Sequence, residues 1–146
     1  MARPTHSLKL TRLLPQSRAE IFAALTDPAQ MAQWFFGMET GAAKVTRDLR
    51  PGGRYLIAMS DGAKTCNPQG VYLEIRPPER LAFTWISEAC PRESRVTIDL
   101  IARPGGTELV LTHELPADAA EGHRVGWGHC LDHLEALLRA ARPATR

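Results

Sequence analysis

Apolar and polar side chains alternate between residues 7 and 14, with Leu8, Leu10 and Leu14 on one side and Lys9 and Thr11 on the other. That period of two predicts a half-buried first strand. Arg12 alone breaks the apolar set, and Pro15 ends the run. Ser17-Arg18-Ala19-Glu20 then has the form of a capping box, in which the serine oxygen takes an orphan helix amide and the glutamate reaches back. It opens a short helix whose apolar side is Ile21, Phe22 and Leu25. Asp27-Pro28 repeats the start signal, an N-cap followed by proline at the first helical position. This second short helix is expected to run to about Phe35 and to bury Met31, Trp34 and Phe35, with Gly37 as its stop.

From Lys44 to Glu114 the pattern changes to strands and turns. Arg54–Ser60 follows the turn Arg50-Pro51-Gly52-Gly53 and closes at Asp61-Gly62. Gln69–Ile75 alternates, which places Val71, Leu73 and Ile75 on one face and Tyr72 and Glu74 on the other. Pro77-Pro78 breaks that strand. Leu81, Phe83 and Trp85 form the next apolar row, and Val96, Ile98 and Leu100 oppose Arg95, Thr97 and Asp99. After the turn Pro104-Gly105-Gly106, Leu109, Leu111 and His113 share one face of a last strand. Successive strands joined by short Gly/Pro turns predict an antiparallel meander with one buried face.

Pro116 and Ala117-Asp118 start a final helix running to about Ala141. At about 100° per residue, Ala120, Trp127, Leu131, Leu134 and Leu138 fall in one stripe, with His123 at its edge. His129, Asp132 and His133 lie opposite. The expected class is therefore α+β: a twisted antiparallel sheet that curls around the long helix, with the two short helices closing one end. Such an arrangement leaves room for a cavity between sheet and helix, open or filled.

Composition narrows the partners more than the fold. The 146 residues suit one domain, with a core from about 7 to 141 and short termini outside it. A net charge of +2 from 18 basic and 16 acidic residues gives no footprint for nucleic acid; the mild cluster Arg139, Arg142 and Arg146 reads as a solvated tail. No run of 18 apolar residues is present and the N-terminus lacks the form of a signal peptide, so no membrane partner is expected. Three cysteines, Cys66, Cys90 and Cys130, are an odd number without a Cys-x-x-Cys pair, which fits reduced thiols in a cytoplasm. Cys130 beside the helix stripe reads as a small buried hydrophobe, whereas Cys66 and Cys90 are expected in loops. His129 and His133 have i, i+4 spacing but no evident third ligand, so neither metal nor other cofactor is expected.

Five segments taken in order resemble one family. They are Ala23-Ala24-Leu25-Thr26-Asp27-Pro28 followed by Trp34; Asp48-Leu49-Arg50-Pro51-Gly52-Gly53-Arg54-Tyr55; Gly70 through Trp85; Gly106 through His113; and Gly126-Trp127. The chain resembles the bacterial branch of the activator of heat-shock protein 90 ATPase homologues, within the START/birch-pollen-allergen-like (SRPBCC) superfamily. The resemblance implies the helix-grip fold and, since the superfamily consists mostly of ligand binders, a cup for a small hydrophobic molecule. Eukaryotic chaperone activators carry an additional N-terminal domain that engages the chaperone; this chain begins at the first strand, so chaperone activation is not the expected role.

Inward parity nominates the lining of such a cup: Trp34 and Phe35 from the second helix, Tyr55, Ile57 and Met59 from one strand, and Val71 and Leu73 from the next. Phe83, Trp85, Val96, Ile98 and His113 follow from the later strands, and His123, Trp127, Leu131 and Leu134 from the last helix. Aromatic walls with a few polar tips suit a flat, mainly apolar ligand. The alternative for each residue is a filled core. Two other functions remain open: an enzyme of cyclase, dehydratase or hydrolase type with His113 as acid/base and Tyr55 as partner, and an interaction module that touches a chaperone or forms a homodimer through the outer sheet face.

Overall fold

The structure, a computed structural model, describes residues 5–34, 42–60, 65–88 and 90–141. Strand β1 (Thr5–Leu14) leads into helices α1 (Arg18–Thr26) and α2 (Pro28–Trp34). Strands β2 (Ala42–Arg47), β3 (Arg54–Ser60), the short β4 (Thr65–Cys66), β5 (Gln69–Arg76), β6 (Arg80–Ser87), β7 (Cys90–Arg103) and β8 (Gly106–Pro116) follow. A single 3₁₀ turn, Ala117–Ala119, then passes into α3 (Ala120–Ala141). The sheet is antiparallel and ordered β1-β8-β7-β6-β5-β3-β2, with β4 beside β3. Together with α3 and the two short helices this is the helix-grip arrangement.

Local chemistry accounts for the helix starts. Ser17 Oγ accepts from the Glu20 amide at 3.2 Å while Glu20 Oε1 accepts from the Ser17 amide at 3.0 Å, so the capping box satisfies two groups that a helix end leaves open. Asp27 Oδ2 accepts from the Gln30 amide at 3.0 Å and opens α2 in the same way. The turn before β3 needs glycine twice. Gly52 has φ 84°, and a Cβ on Gly53 would run into the Asp48 carbonyl. Both glycines also bond to β5, with the Gly52 amide donating to the Tyr72 carbonyl and the Tyr72 amide to that of Gly53.

The rows predicted on β6, β7, β8 and α3 are buried: Leu81, Phe83 and Trp85; Val96, Ile98 and Leu100; Leu109, Leu111 and His113; and Trp127, Leu131, Leu134 and Leu138. His129, Asp132 and His133 face solvent. Arg12, the exception in the first strand, faces the helix. Its Nη1 donates to Asp132 Oδ1 and Glu135 Oε2, both at 2.8 Å, and so ties β1 to α3.

Two expectations need correction, and others fall on residues that are not described. On β5 the inward residue is Tyr72, while Leu73 is 40% exposed and Val71 only half-buried. The cause is a bulge: Tyr72 pairs with Phe83 and Glu74 with Ala82, which leaves Leu73 without an opposite residue. One extra residue reverses the parity of everything before it, so Tyr72 and Ile75, three apart, both turn inward. Cys66 and Cys90 belong to strands β4 and β7 instead of loops. Phe35, Gly37, Arg142 and Arg146 lie outside the described residues.

Candidate functional site

The concave side of the sheet holds two unlike groups of aromatic residues. The first lies under the start of α3. Strand parity on β8 points His113 inward beside Leu109 and Leu111, and all three are fully buried. The Trp127 indole N–H donates to His113 Nδ1 at 3.1 Å, which places the ring proton on Nε2. Nε2–H then donates to Ser94 Oγ at 2.8 Å, and Ser94 Oγ–H to the Trp85 carbonyl at 2.8 Å. A second chain runs beside it: the Trp85 indole N–H donates to His123 Nε2 at 3.3 Å, and His123 Nδ1–H to the Ala119 carbonyl at 2.9 Å. The Trp85 and Trp127 ring centroids are 4.9 Å apart. Burial pulls the His113 pKa down to about 3, and the neighbouring His123 acts in the same direction.

That arrangement cross-links α3 to strands β6, β7 and β8. Both nitrogens of His113 are engaged, and among the described residues no carboxylate hydrogen-bonds to the ring to orient it as a base. Tyr55 is no freer: its hydroxyl donates to the Thr84 carbonyl at 2.6 Å, and burial raises its pKa far above the usual tyrosine range.

The second group lies under α1 and α2. Trp34 is anchored by its indole N–H, which donates to the Ala24 carbonyl at 2.8 Å. The Tyr55 ring sits 5.6 Å from Tyr72 and 5.5 Å, edge to face, from Phe83. Among the described residues these rings surround a void of about 10 Å³, completed by Leu25, Met31, Leu81 and Ile98, which is room for about one water. Of the lining expected from sequence, Trp34, Tyr55, Phe83 and Ile98 border this void. Ile57, Val96, Leu131 and Leu134 are packed in the core away from it, and Met59 is packed against the core's edge.

Tyr72 also borders the void, and its state is unusual. The residue is 2% exposed, and among the described residues its hydroxyl has no hydrogen-bond partner. Among the described residues the only other buried side-chain oxygen or nitrogen in that condition is Gln16 Oε1, in the turn before α1. Burial raises the Tyr72 pKa to about 12, against the opposing pull of the nearby Arg47 cation. Sequence parity had turned Tyr72 outward, and no residue of β5 marks the bulge that turns it in. Arg47 was not singled out either, because only strand pairing brings it alongside.

Elsewhere, Cys130 is half-buried against the core. Among the described residues no three His, Cys, Asp or Glu side chains gather where an ion would sit, and no helix is long and apolar enough to cross a membrane.

Known structures share this architecture. A crystal structure from Chromobacterium violaceum is 27% identical with a TM-score of 0.82, over 90% of this chain and 96% of that one. The solution structure of an AHSA1-like protein from Aeromonas hydrophila, 19% identical, covers 97% and 100% with a TM-score of 0.81. A third match, DynU16 from the dynemicin biosynthetic locus, is 21% identical with a TM-score of 0.79, spanning 96% of this chain but 49% of that one. No curated protein is significantly similar in sequence. The family described as Activator of Hsp90 ATPase homolog 1-like protein matches residues 15–139. By that match, which spans both short helices, strands β2 to β8 and nearly all of α3, the chain belongs to the Activator of Hsp90 ATPase homolog 1-like family.

Proposed function

We propose that this protein binds a small, mainly apolar, ring-bearing molecule between the sheet and helices α1 and α2. The observation that carries the proposal is the buried Tyr72 hydroxyl without a partner at an aromatic-walled void. An unsatisfied buried hydroxyl costs about 1–3 kcal/mol, and a ligand oxygen or nitrogen would remove that cost. The aromatic lining of Trp34, Tyr55, Tyr72 and Phe83 favours a flat ligand body. Family membership supports the same reading, since the fold is used largely by ligand binders, and one structural neighbour belongs to a biosynthetic locus. The void is too small for such a molecule as it stands, so binding requires side chains to move. Met31, unbranched and adaptable, is the wall most able to do so. We place this activity in the cytoplasm, where three cysteines without a paired motif stay reduced.

The test is a thermal-shift series with neutral aromatics, led by 2-naphthol, on wild type and Tyr72→Phe. Binding confined to the native state raises the melting temperature with ligand concentration. Wild type should show a saturable rise and Tyr72→Phe a weaker one. If no compound shifts wild type, the cup is a filled core and the proposal fails.

A further inference from the structure

Deepening the proposed function and resting on it, we infer that the ligand is an amphipathic anion, whose apolar body enters beside Trp34, Tyr55 and Phe83 and whose carboxylate meets the Tyr72 hydroxyl and the Arg47 guanidinium.

Register places the cation. Arg47 of β2 lies directly opposite Tyr55 of β3, as Val45 lies opposite the fully buried Ile57. Directly opposed residues share a sheet face, so Arg47 is on the inner side with Tyr55. Tyr55 stands between Arg47 and the β5 segment, where its ring contacts that of Tyr72. Arg47 is near enough for its charge to act on the Tyr72 hydroxyl.

The guanidinium is only partly used. Its Nε donates to the Thr26 carbonyl at 2.8 Å at the end of α1, which fixes the side chain at the rim. Among the described residues it pairs with no carboxylate, whereas Arg12, Arg50, Arg76, Arg80 and Arg103 each do. A half-buried arginine held by one bond to its Nε leaves its two terminal nitrogens as a fork suited to a carboxylate. The orphan hydroxyl supplies a third donor to the same oxygens. A neutral hydrogen-bonding group would satisfy Tyr72 but leave the fork unused.

The experiment measures affinities by titration of intrinsic fluorescence or by calorimetry, using matched acid and amide pairs: benzoate and benzamide, 2-naphthoate and 2-naphthamide, decanoate and decanamide. At least one acid should bind wild type tighter than its amide by roughly tenfold to a hundredfold, the range expected when a hydrogen bond gains a charged partner. Arg47→Gln should abolish that preference, and Arg47→Lys, which keeps the charge, should restore part of it. Tyr72→Phe should weaken acids and amides alike. Acids and amides binding equally would overturn the anion inference and leave the cup standing. A preference that survives in a folded Arg47→Gln, judged by its melting temperature without ligand, would overturn the role of Arg47. If no member of any pair binds saturably, the cup and the anion fall together.

Discussion

The two aromatic groups on the concave face are built from the same kinds of residue and end in opposite states. Under the start of α3, Trp85, Ser94, His113, His123 and Trp127 join in hydrogen bonds that run to the Trp85 and Ala119 carbonyls. Under α1 and α2, Trp34 and Tyr55 are likewise anchored to carbonyls, yet the Tyr72 hydroxyl has no partner among the described residues. Completed networks rigidify; incomplete ones carry a cost unless something arrives to complete them. Aromatic content therefore does not locate a site. What sets the proposed site apart is an unfinished hydrogen bond at an aromatic-walled void.

The strongest way to break the comparison is to open the closed end. His113→Ala removes the acceptor of the Trp127 indole and the donor to Ser94, and it leaves a cavity in the core. It should cost about 3–5 kcal/mol in urea denaturation at pH 7. A loss below about 1 kcal/mol would show that the network is not what holds α3 on the sheet.

The next effect is a pH dependence carried by the same residue. His113 has a pKa near 3 in the fold against 6.5 for the free side chain, so the unfolded chain takes up its proton first as pH falls. Stability from the neutral ring is fully present above about 6.5 and is lost progressively on the way to 3. Between pH 6.5 and 4.5, above most carboxylate titration, wild type should lose about 2–3 kcal/mol, and a folded His113 variant should not. Equal slopes in the two proteins would assign the acid sensitivity to other groups.

The smallest effect compares the two tyrosines. Tyr55→Phe leaves the Thr84 carbonyl without its 2.6 Å donor and should cost about 1–2 kcal/mol. Tyr72→Phe removes a hydroxyl that has no partner among the described residues, so stability without ligand should stay level or rise by up to about 1 kcal/mol. Equal losses in chemical denaturation would mean that Tyr72 has a partner after all and would remove the distinction between the two ends.

Much of this was legible in the chain. Capping signals at Ser17 and Asp27, period-two rows on β6, β7 and β8, and the stripe from Trp127 to Leu138 are local patterns. Each fixes an element and its buried side without knowledge of its neighbours. The closed network was half legible: parity turned His113 inward and put His123 at the stripe's edge, but the tautomers and partners required the helix to be docked. The open end was misread at its decisive residue. Alternation through Gln69–Ile75 is regular, and a bulge at Leu73 is decided by what β6 presents opposite it.

What the sequence determined by itself, then, is the order of elements, the face that most of them bury and the family they compose, because periodicity, caps and turns act over a few residues. Tertiary structure alone decided three things. Arg12 meets Asp132 and Glu135 across some 120 positions of chain. Tyr72 turns inward through a register shift between β5 and β6. Arg47 reaches the same inner face by way of β3. The reason is the same in each case: register and docking are settled between segments distant in sequence, where shifting one strand by a single residue exchanges the inside for the outside.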